Sequence, residues 1–376
     1  MHCSDSTRVL FLHAYSPRNS GDGLLVELSA GLMREAFGKI TWRAVALDAA
    51  AFSDSRFVQW GGLPPAMASR LPRSVDVMAT LFGGPRRNVK RLAREADVIV
   101  AVGGGYQRAR SLVELIKYLG AHYGQLALAS RYGSKTIYLP QSIGPFPKLV
   151  ETFVAAKLSR MSLIALRDDR SLSRFAHLSN AVRIADLAVL EIAGTFTRKS
   201  SDAQGDAIAL VARNLPRPRS YRSLLDALYA RFNPIVAIQS RGAGNDDVDL
   251  SRRLAGDEPT PALHDLLQRD AVALVISARL HGALQSILNG FPAVHLSYES
   301  KGWGAFEDLG LHQYVFNARN SLLSEVAAAV EHARDEPSDY WDRVAGAVPA
   351  ILASRSTLLT RLRAMTRTPG PHPDAA

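Results

Sequence analysis

The stretch VISARLHGALQS, residues 275–286, decides the fold of this chain. Its first residues are aliphatic and β-branched, as in a buried strand of a parallel sheet, and its last residues have helical spacing. The same unit recurs along the chain as a short apolar run, a polar or glycine-rich turn and a helical pattern. This recurrence is typical of βα units and predicts an α/β fold built on parallel sheets.

The predicted elements follow this unit in both halves of the chain. In the first half the strands are Arg8–Ala14, Trp42–Leu47, Val98–Val102, Thr136–Leu139, Leu163–Leu166 and Val182–Ile184. The helices there are Leu24–Phe37, Ser111–Arg131, Lys148–Met161 and Arg170–His177. In the second half the strands are Ala207–Val211, Ile235–Ile238, Ala271–Ile276 and Ala293–Leu296. The helices there are Tyr221–Arg231, Leu263–Gln268, Gly282–Leu288, Leu322–Arg334 and Tyr340–Met365.

The length predicts two domains, because 376 residues exceed the size of about 250 to 300 residues at which one core stops growing. Residues 51–85, rich in Gly, Pro and Arg, are expected to form a surface excursion. The polar stretch RKSSDAQGD at 198–206 is the candidate linker. We predict two Rossmann-like domains, 1–198 and 207–365, that face each other across a cleft, and a flexible tail at 366–376.

The net charge of +10 is polarised along the chain. Residues 1–200 carry 27 basic and 15 acidic side chains, whereas residues 201–376 carry 18 and 20. The densest basic cluster, at helical spacing, is Arg86, Arg87, Lys90, Arg91 and Arg94. Two interpretations stay open, a solvated helix face and a surface that meets phosphates of lipid or substrate. Nucleic acid is disfavoured as a partner, because aromatic residues are only 7% and no nucleic-acid module is recognisable.

Several classes of protein are disfavoured by single features. One cysteine, Cys3, excludes an internal disulfide framework and a cysteine-rich metal site. The polar N-terminus lacks the pattern of a signal peptide. The uncharged stretch Leu280–Tyr298 contains His, Asn, Gln and Pro, which indicates buried α/β structure and not a membrane span. We therefore expect a cytoplasmic protein.

Four polar or glycine-rich loops follow predicted strands. In the first, Asn19, Gly21 and Asp22 precede a helix expected to start near Gly23. Free amides at a helix start suit an anion, although Asp22 could equally cap the helix. The loop has neither the lysine of a P-loop nor the full dinucleotide fingerprint.

The second loop contains Gly103, Gly104 and Gly105 directly after an aliphatic strand. Three glycines in a row allow a ligand to approach the backbone closely. A simple turn at the strand end is the alternative.

The third and fourth loops follow later strands of the first half. One contains Gln141 and Ser142, and the other contains Arg167 and Asp168 at a helix start. Asp168 could be a cap with Arg167 beside it.

The turn after the strand near 271–276 carries Ser277, Arg279 and His281. Residues two apart at a strand end project to the same side, so a fixed cation and a titratable imidazole could address one ligand. A capping or core role for His281 is the alternative. The next strand ends at Tyr298 and Lys301, and Lys301 is the only lysine after residue 199.

Together these segments resemble the polysaccharide pyruvyl transferase family. The matching pieces are NSGD at 19–22, VGGG at 102–105, QSIGP at 141–145, RD at 167–168, DLA at 186–188, SARLHG at 277–282, YESK at 298–301 and DLGL at 308–311. The resemblance implies a fold similar to that of two-domain GT-B glycosyltransferases. It also implies transfer of a pyruvyl group from phosphoenolpyruvate onto a saccharide as a cyclic ketal, in cell-surface or exopolysaccharide biosynthesis. It implies no cofactor, with phosphoenolpyruvate as co-substrate.

On this hypothesis His281 is the general acid, since an imidazole titrates near neutral pH. Asp22 or Asp168 would orient or deprotonate the acceptor hydroxyl. The cations that would bind the phosphate or carboxylate of the donor are Arg279, Lys301 and Arg167. No metal site is expected.

The expected partners are phosphoenolpyruvate and a free saccharide or lipid-linked oligosaccharide. Peripheral contact with anionic membrane at the inner face is a further expectation. A glycosyltransferase of the same fold that uses a nucleotide sugar is the strongest alternative, because fold alone does not choose the donor. A non-catalytic protein that binds anions or saccharides is the second.

Overall fold

The computed structural model is an α/β protein whose main strands form two parallel sheets, which confirms the predicted fold class. It describes residues 6–61, 87–197, 205–216, 218–242 and 245–365. Cys3, Arg86, the tail at 366–376 and most of the predicted linker and excursion lie outside the described residues.

The described chain divides into two compact units at positions that differ from the predicted boundaries. Unit 1 comprises the described residues of 1–17, 22–187 and 354–376, and unit 2 comprises those of 18–21 and 188–353. Residues 188–197 therefore belong to unit 2, where the Phe196 and Trp341 rings lie 6.3 Å apart. The last helix returns to unit 1, where Arg355 pairs with Glu35 at 2.5 Å.

Among the described residues of unit 1, eight parallel strands form one sheet. Their bounds are β1 Thr7–Ala14, β2 Ile40–Ala46, β3 Phe57–Gln59, β4 Val98–Ala101, β5 Gly104–Gln107, β6 Thr136–Ile143, β7 Leu163–Leu166 and β8 Ala181–Arg183. The spatial order is β3-β2-β1-β4-β6-β7-β8, with β5 paired to β6. β1, β4, β6 and β7 are almost entirely buried, as expected for strands covered on both faces.

Helices connect these strands because parallel neighbours need a crossover. They are α1 Ser20–Phe37, α2 Arg87–Glu95, α3 Leu112–Tyr118, α4 Gly124–Arg131, α5 Lys148–Leu158 and α6 Asp169–Arg174. The single helix predicted over Ser111–Arg131 is interrupted by a π turn at Leu119–Tyr123, and the first helix starts at Ser20.

In the described part of unit 2, five parallel strands form the main sheet in the order β10-β9-β13-β14-β15. Their bounds are β9 Ile208–Val211, β10 Ile235–Val236, β13 Leu274–Ser277, β14 Ala293–Ser297 and β15 Val315–Asn317. An antiparallel pair is formed by β11 Arg241–Gly242 and β12 Asn245–Asp246. The remaining helices are α7 Leu187–Thr195, α8 Arg219–Phe232, α9 Val248–Ala255, α10 Leu263–Gln268, α11 Leu280–Leu288, α12 Ser300–Asp308, α13 Leu323–Asp335 and α14 Pro337–Met365.

Each sheet has one place where the chain reverses its direction of travel across the strands. In unit 1 this point lies between β1 and β4, and in unit 2 it lies between β9 and β13. Helices leave to opposite sides there, so the carboxyl ends of the two strands leave a crevice that suits a ligand. The loop at 19–22 follows β1, Gly103 follows β4, and the turn at 277–282 follows β13.

A buried cluster of aromatic and imidazole rings lies in unit 1 at the carboxyl end of β1. His13 Nε2 and the Tyr138 hydroxyl are 3.0 Å apart, and the Nδ1 atoms of His13 and His122 are 3.3 Å apart. Tyr106 stacks on both imidazoles, with ring centroids 4.8 Å from His13 and 4.7 Å from His122. Burial lowers the pKa of His122 to about 3 and lowers that of His13 well below its usual value. Both imidazoles are therefore neutral in the folded protein at neutral pH.

This neutrality predicts acid sensitivity. The unfolded chain binds a proton at His122 near pH 6.5, whereas the folded chain does so only near pH 3, so stability is present above pH 6.5 and falls as the pH drops. Between about pH 7 and pH 5 the His122 contribution should fall by about 2 kcal/mol. Urea denaturation of His122→Gln should show a shallower pH dependence than that of the wild type.

The matched control is His177→Gln, because His177 is exposed in the same unit. Its pH dependence should equal that of the wild type. An unchanged pH dependence in His122→Gln would contradict the assignment.

Candidate functional site

The turn after β13 is built by its own hydrogen bonds. Ser277 Oγ donates to the Arg279 carbonyl at 2.8 Å and accepts from the Arg279 backbone N–H at 3.1 Å. The turn delivers His281 as the second residue of α11. The imidazole therefore lies at a helix start, where free backbone N–H groups favour an anion.

Arg279 forms a buried ion pair with Asp247. Its Nε donates to Oδ2 and its Nη2 donates to Oδ1, both at 2.5 Å. Both side chains are almost completely buried. Burial raises the pKa of the Asp247 carboxyl, while the Arg279 guanidinium works in the opposite direction. The pair is bidentate, which gives the turn a defined orientation relative to the start of α9.

The segment at 18–21 belongs to this site. The Ser20 backbone N–H donates to the Gln239 carbonyl at 3.4 Å, and Asn19 forms an isolated bridge with Ser240. A Cβ on Gly21 would lie 2.8 Å from the Cβ of His281, closer than side chains approach. Glycine at this position therefore lets the segment lie directly against the imidazole, and the structure brings together Asn19, Gly21 and His281.

Gly282 allows a second close approach. A Cβ there would lie 2.5 Å from Gln239 Oε1 and 2.7 Å from Ser277 Oγ. Gln239 is buried and was not predicted as a site residue. Glycine is therefore required at position 282 so that the SARLHG turn can pack against the end of β13 and the segment after β10.

Two more cations lie at the same edge of the unit 2 sheet. Arg213, two residues after β9, donates from Nη1 to the Tyr298 hydroxyl. Lys301 Nζ lies 3.1 Å from Glu299 Oε2. Both cations are partly exposed, in contrast to Arg279. Sequence reasoning missed Arg213, because one arginine among many after a short strand carries no signal of its own.

His295 supports the turn from the neighbouring strand. Its Nδ1 donates to the Ser277 carbonyl at 2.8 Å, which assigns the proton to that nitrogen. Burial lowers the pKa of His295 to about 4, so the ring is neutral at neutral pH. A Cβ on Gly302 would lie 2.3 Å from His295 Nε2, so the first turn of α12 packs directly on the ring.

The glycine run in unit 1 contains the start of a short strand. Gly104 has φ +152° and begins β5, and a Cβ on it would lie 2.8 Å from the Tyr106 ring. A Cβ on Gly103 would lie 2.7 Å from the Pro140 carbonyl. Gly105 is the second residue of β5. At Gly103 and Gly104 the close approach is to the protein itself.

The polar residues after β6 and β7 form a second buried network. Arg167 donates from Nε to Ser142 Oγ at 3.0 Å and from Nη1 to Asp186. Gln141 and Gln107 are buried, and within the described ranges their amide groups have no hydrogen-bond partner. Gln107, which was not predicted, lies on β5 beside β6.

The two predicted carboxylates have different surroundings. Asp168 Oδ1 accepts from the Ser171 backbone N–H at 2.8 Å and its Oδ2 accepts from the Ser171 hydroxyl at 3.0 Å. These contacts favour the capping alternative for Asp168. Asp22 lies in the first turn of α1, and Asn19, which precedes that helix, accepts from the Gly21 backbone N–H at 3.3 Å. In unit 1, burial raises the pKa of the Tyr106 hydroxyl well above its usual value, Arg167 lowers it, and Asp22 raises it further.

The described residues contain no group of three or more His, Cys, Asp or Glu side chains placed to hold a metal ion. In that same part of the chain, no helix is both long and apolar enough to cross a membrane.

Solved structures with the same fold are glycosyltransferases and related enzymes. A glycosyltransferase from Rickettsia africae is 9% identical with a TM-score of 0.52, over 97% of this chain and 100% of that one. An O. sativa protein in complex with UDP is 12% identical with a TM-score of 0.53, over 94% and 100%. A UDP-GlcNAc 2-epimerase from Neisseria meningitidis is 9% identical with a TM-score of 0.51, over 95% and 99%. At these identities the likeness concerns the fold alone, which is that of GT-B glycosyltransferases with two Rossmann-like domains.

A comparison with curated proteins finds no match. The family model described as polysaccharide pyruvyl transferase matches residues 19–300. The matched range begins at Asn19 and includes the turn at 277–282, so it contains the segments that meet at His281. The chain therefore belongs to the polysaccharide pyruvyl transferase family.

Proposed function

We propose that this protein transfers a pyruvyl group from phosphoenolpyruvate onto two hydroxyls of a saccharide, forming a cyclic ketal in cell-surface or exopolysaccharide biosynthesis. Family membership supports transfer of pyruvyl groups onto polysaccharide. The observation that carries the proposal is the placement of His281 at a helix start, beside the point where the unit 2 sheet reverses its order. That position suits an anionic substrate, because of the free backbone N–H groups, and it also suits a side chain that donates a proton.

Donor binding is assigned to the carboxyl edge of the unit 2 sheet. Phosphoenolpyruvate carries a phosphate and a carboxylate, which need cations and N–H donors. Arg213 and Lys301 are partly exposed cations at this edge, and α11 adds backbone N–H groups. Arg279, whose guanidinium is held by Asp247, is assigned the role of positioning the turn.

The reaction proceeds in two additions. A first saccharide hydroxyl forms a bond to carbon 2 of phosphoenolpyruvate while His281, as an imidazolium, protonates carbon 3, and the hydroxyl proton passes to a base. The second hydroxyl then bonds to carbon 2, the bond from carbon 2 to the phosphate oxygen breaks, and phosphate leaves with the second hydroxyl proton. The methylene has become a methyl group and the ketal is closed.

The acceptor is assigned to residues of unit 1. Asp22 follows Gly21 in the chain and lies within electrostatic range of Tyr106. We assign Asp22 as the base for the first hydroxyl, because the oxygens of Asp168 already accept from Ser171. Gln141 and Gln107 supply the amide groups that hydrogen-bond the saccharide.

Peripheral contact with anionic membrane is part of the proposal. Arg87, Lys90, Arg91 and Arg94 are exposed on α2, and the helix packs through Val89 and Ala93. Each basic side chain near an anionic surface adds attraction that falls off within a Debye length. The contact would bring the enzyme to a lipid-linked oligosaccharide at the inner face.

The general-acid role is tested by His281→Gln. Loss of the proton donor should lower kcat for phosphate release at least about 100-fold, the lower end for general acid catalysis. His264→Gln is the matched control, because His264 is exposed on α10 of the same unit. Wild-type turnover in a folded His281→Gln protein would rule out this role.

The donor is tested by ligand-dependent melting. Phosphoenolpyruvate should raise the Tm and UDP-glucose should not, since the site is assigned to a phosphate and a carboxylate. Arg213→Met should raise the KM for phosphoenolpyruvate about tenfold or more, as expected for a lost charge-assisted hydrogen bond. Arg222→Met, an exposed arginine on α8, should leave it unchanged. A Tm raised by UDP-glucose alone would favour a nucleotide-sugar glycosyltransferase.

A further inference from the structure

Six large apolar side chains are exposed on α3, on the π turn that follows it and on α5 of unit 1. The most exposed are Leu112 at 72%, Leu149 at 71% and Phe153 at 56%. We call the full set the apolar face, and its members are Leu112, Val113, Ile116, Leu119, Leu149 and Phe153. Single exposed apolar residues are ordinary, but a contiguous patch marks a surface that meets a partner.

The two helices that carry the apolar face start next to each other. The Ala109 backbone N–H donates to the Pro145 carbonyl at 3.0 Å, and both α3 and α5 begin three residues after that bond. The Tyr118 and Phe146 rings pack beneath them with centroids 5.0 Å apart. Leu112 and Ile116 on α3, and Leu149 and Phe153 on α5, are each four residues apart, so each pair shares one side of its helix.

The exposed charges around the apolar face are basic. Lys117 and Lys148 are exposed on the two helices, and Arg110 is exposed just before α3. The acidic side chains of these helices are less exposed than the basic ones, and each has a partner within the protein. Glu114 accepts from the Arg110 backbone N–H at 2.7 Å, and Glu151 pairs with Arg174 at 2.5 Å.

The basic helix α2 lies on the same side of the sheet as the apolar face. Val89 and Ala93 of α2 belong to the same hydrophobic cluster as Tyr118 and Val154, beneath α3 and α5. Lys135, just after α4, donates to the Arg94 carbonyl at 3.0 Å. The apolar side chains and the exposed basic side chains of α2 are thus on one side of unit 1.

We infer that the apolar face inserts into the interfacial region of an anionic bilayer, with the basic residues around it contacting lipid phosphates. Protruding aliphatic and aromatic side chains beside lysines and arginines are the composition of interfacial membrane anchors. A second copy of the chain is disfavoured as occupant, because a two-fold contact would place the same basic residues against each other.

The position of the apolar face has a consequence for the acceptor. α3 and α5 follow β5 and β6 after short loops, so both helices begin at the carboxyl edge that carries Gly103 and Gln141. Docking through them would hold that edge close to the lipid surface. The inference rests on the proposed membrane contact and identifies the acceptor as one carried by a lipid.

The test is cosedimentation with phosphatidylcholine vesicles that contain or lack phosphatidylglycerol. The wild type should bind the anionic vesicles. The triple variant Leu112→Ser, Leu149→Ser, Phe153→Ser should bind them at least about tenfold more weakly, since three apolar side chains no longer enter the interface. The matched control is Leu322→Ser with Leu352→Ser, because these leucines are exposed in unit 2, Leu322 at 63%. It should bind as the wild type does.

Other outcomes would overturn the inference. The triple variant could bind the anionic vesicles as the wild type does, while neutralising Arg87, Lys90, Arg91 and Arg94 weakens binding. That result would show that the membrane contact uses the basic residues and does not use the apolar face. No binding by the wild type would remove both. A wild-type dimer on size exclusion that the triple variant dissociates would make the face a subunit interface. Phosphate release with a soluble acceptor should be equal in wild type and triple variant, so failure of the transferase proposal is seen separately.

Discussion

A buried guanidinium needs a buried carboxylate to neutralise its charge, and in unit 2 this requirement pairs Arg279 with Asp247. The pair connects the segments that surround His281. Arg279 leaves the turn after β13 to reach Asp247, and the Asp247 backbone N–H donates to the Ser240 carbonyl at 3.0 Å. Ser240 is bridged to Asn19, and the segment continues to Gly21 against His281. Removing one partner of such a buried pair costs about 3–5 kcal/mol, because the other charge is left uncompensated. The Arg279–Asp247 pair thus stabilises the segments that surround the His281 imidazole.

Unit 1 has a similar arrangement. Arg167 follows β7 as Arg279 follows β13, and it is buried against Asp186. Both arginines occupy positions where an anionic ligand could be bound, yet both are neutralised within their own unit. The cations that retain exposure at the unit 2 edge, Arg213 and Lys301, are therefore the better candidates for contact with the donor. Arg279 thus stabilises the carboxyl edge of the unit 2 sheet, while Arg213 and Lys301 offer positive charge there to a substrate.

The sequence predicted the buried strands well because their apolar runs are bounded by turn residues, and Leu163–Leu166 is matched exactly. It missed β3 and β5, which are short strands in stretches rich in polar residues or glycine. It also missed α12, because two glycines in a short segment indicate a loop. In the structure Gly302 is needed for the close packing of α12 on His295. Gly21 and Gly282 both lie in motifs that the sequence shows. Their purpose depends on distant contacts, because Gly21 lies against His281, more than 200 residues away in the chain, and Gly282 lies against Gln239 in the segment after β10. Pairing of Arg279 with Asp247 cannot be read from one sequence, since nothing local connects them.

We propose that the chain adds pyruvate to a saccharide as a ketal. Mass analysis of cell-surface polysaccharide from a strain that lacks the protein tests this claim directly. Ketal transfer by this protein predicts that the polysaccharide loses the mass increment of one pyruvic acid less one water, and that the wild-type protein restores it but His281→Gln does not. A polysaccharide of unchanged mass in the strain lacking the protein would contradict it.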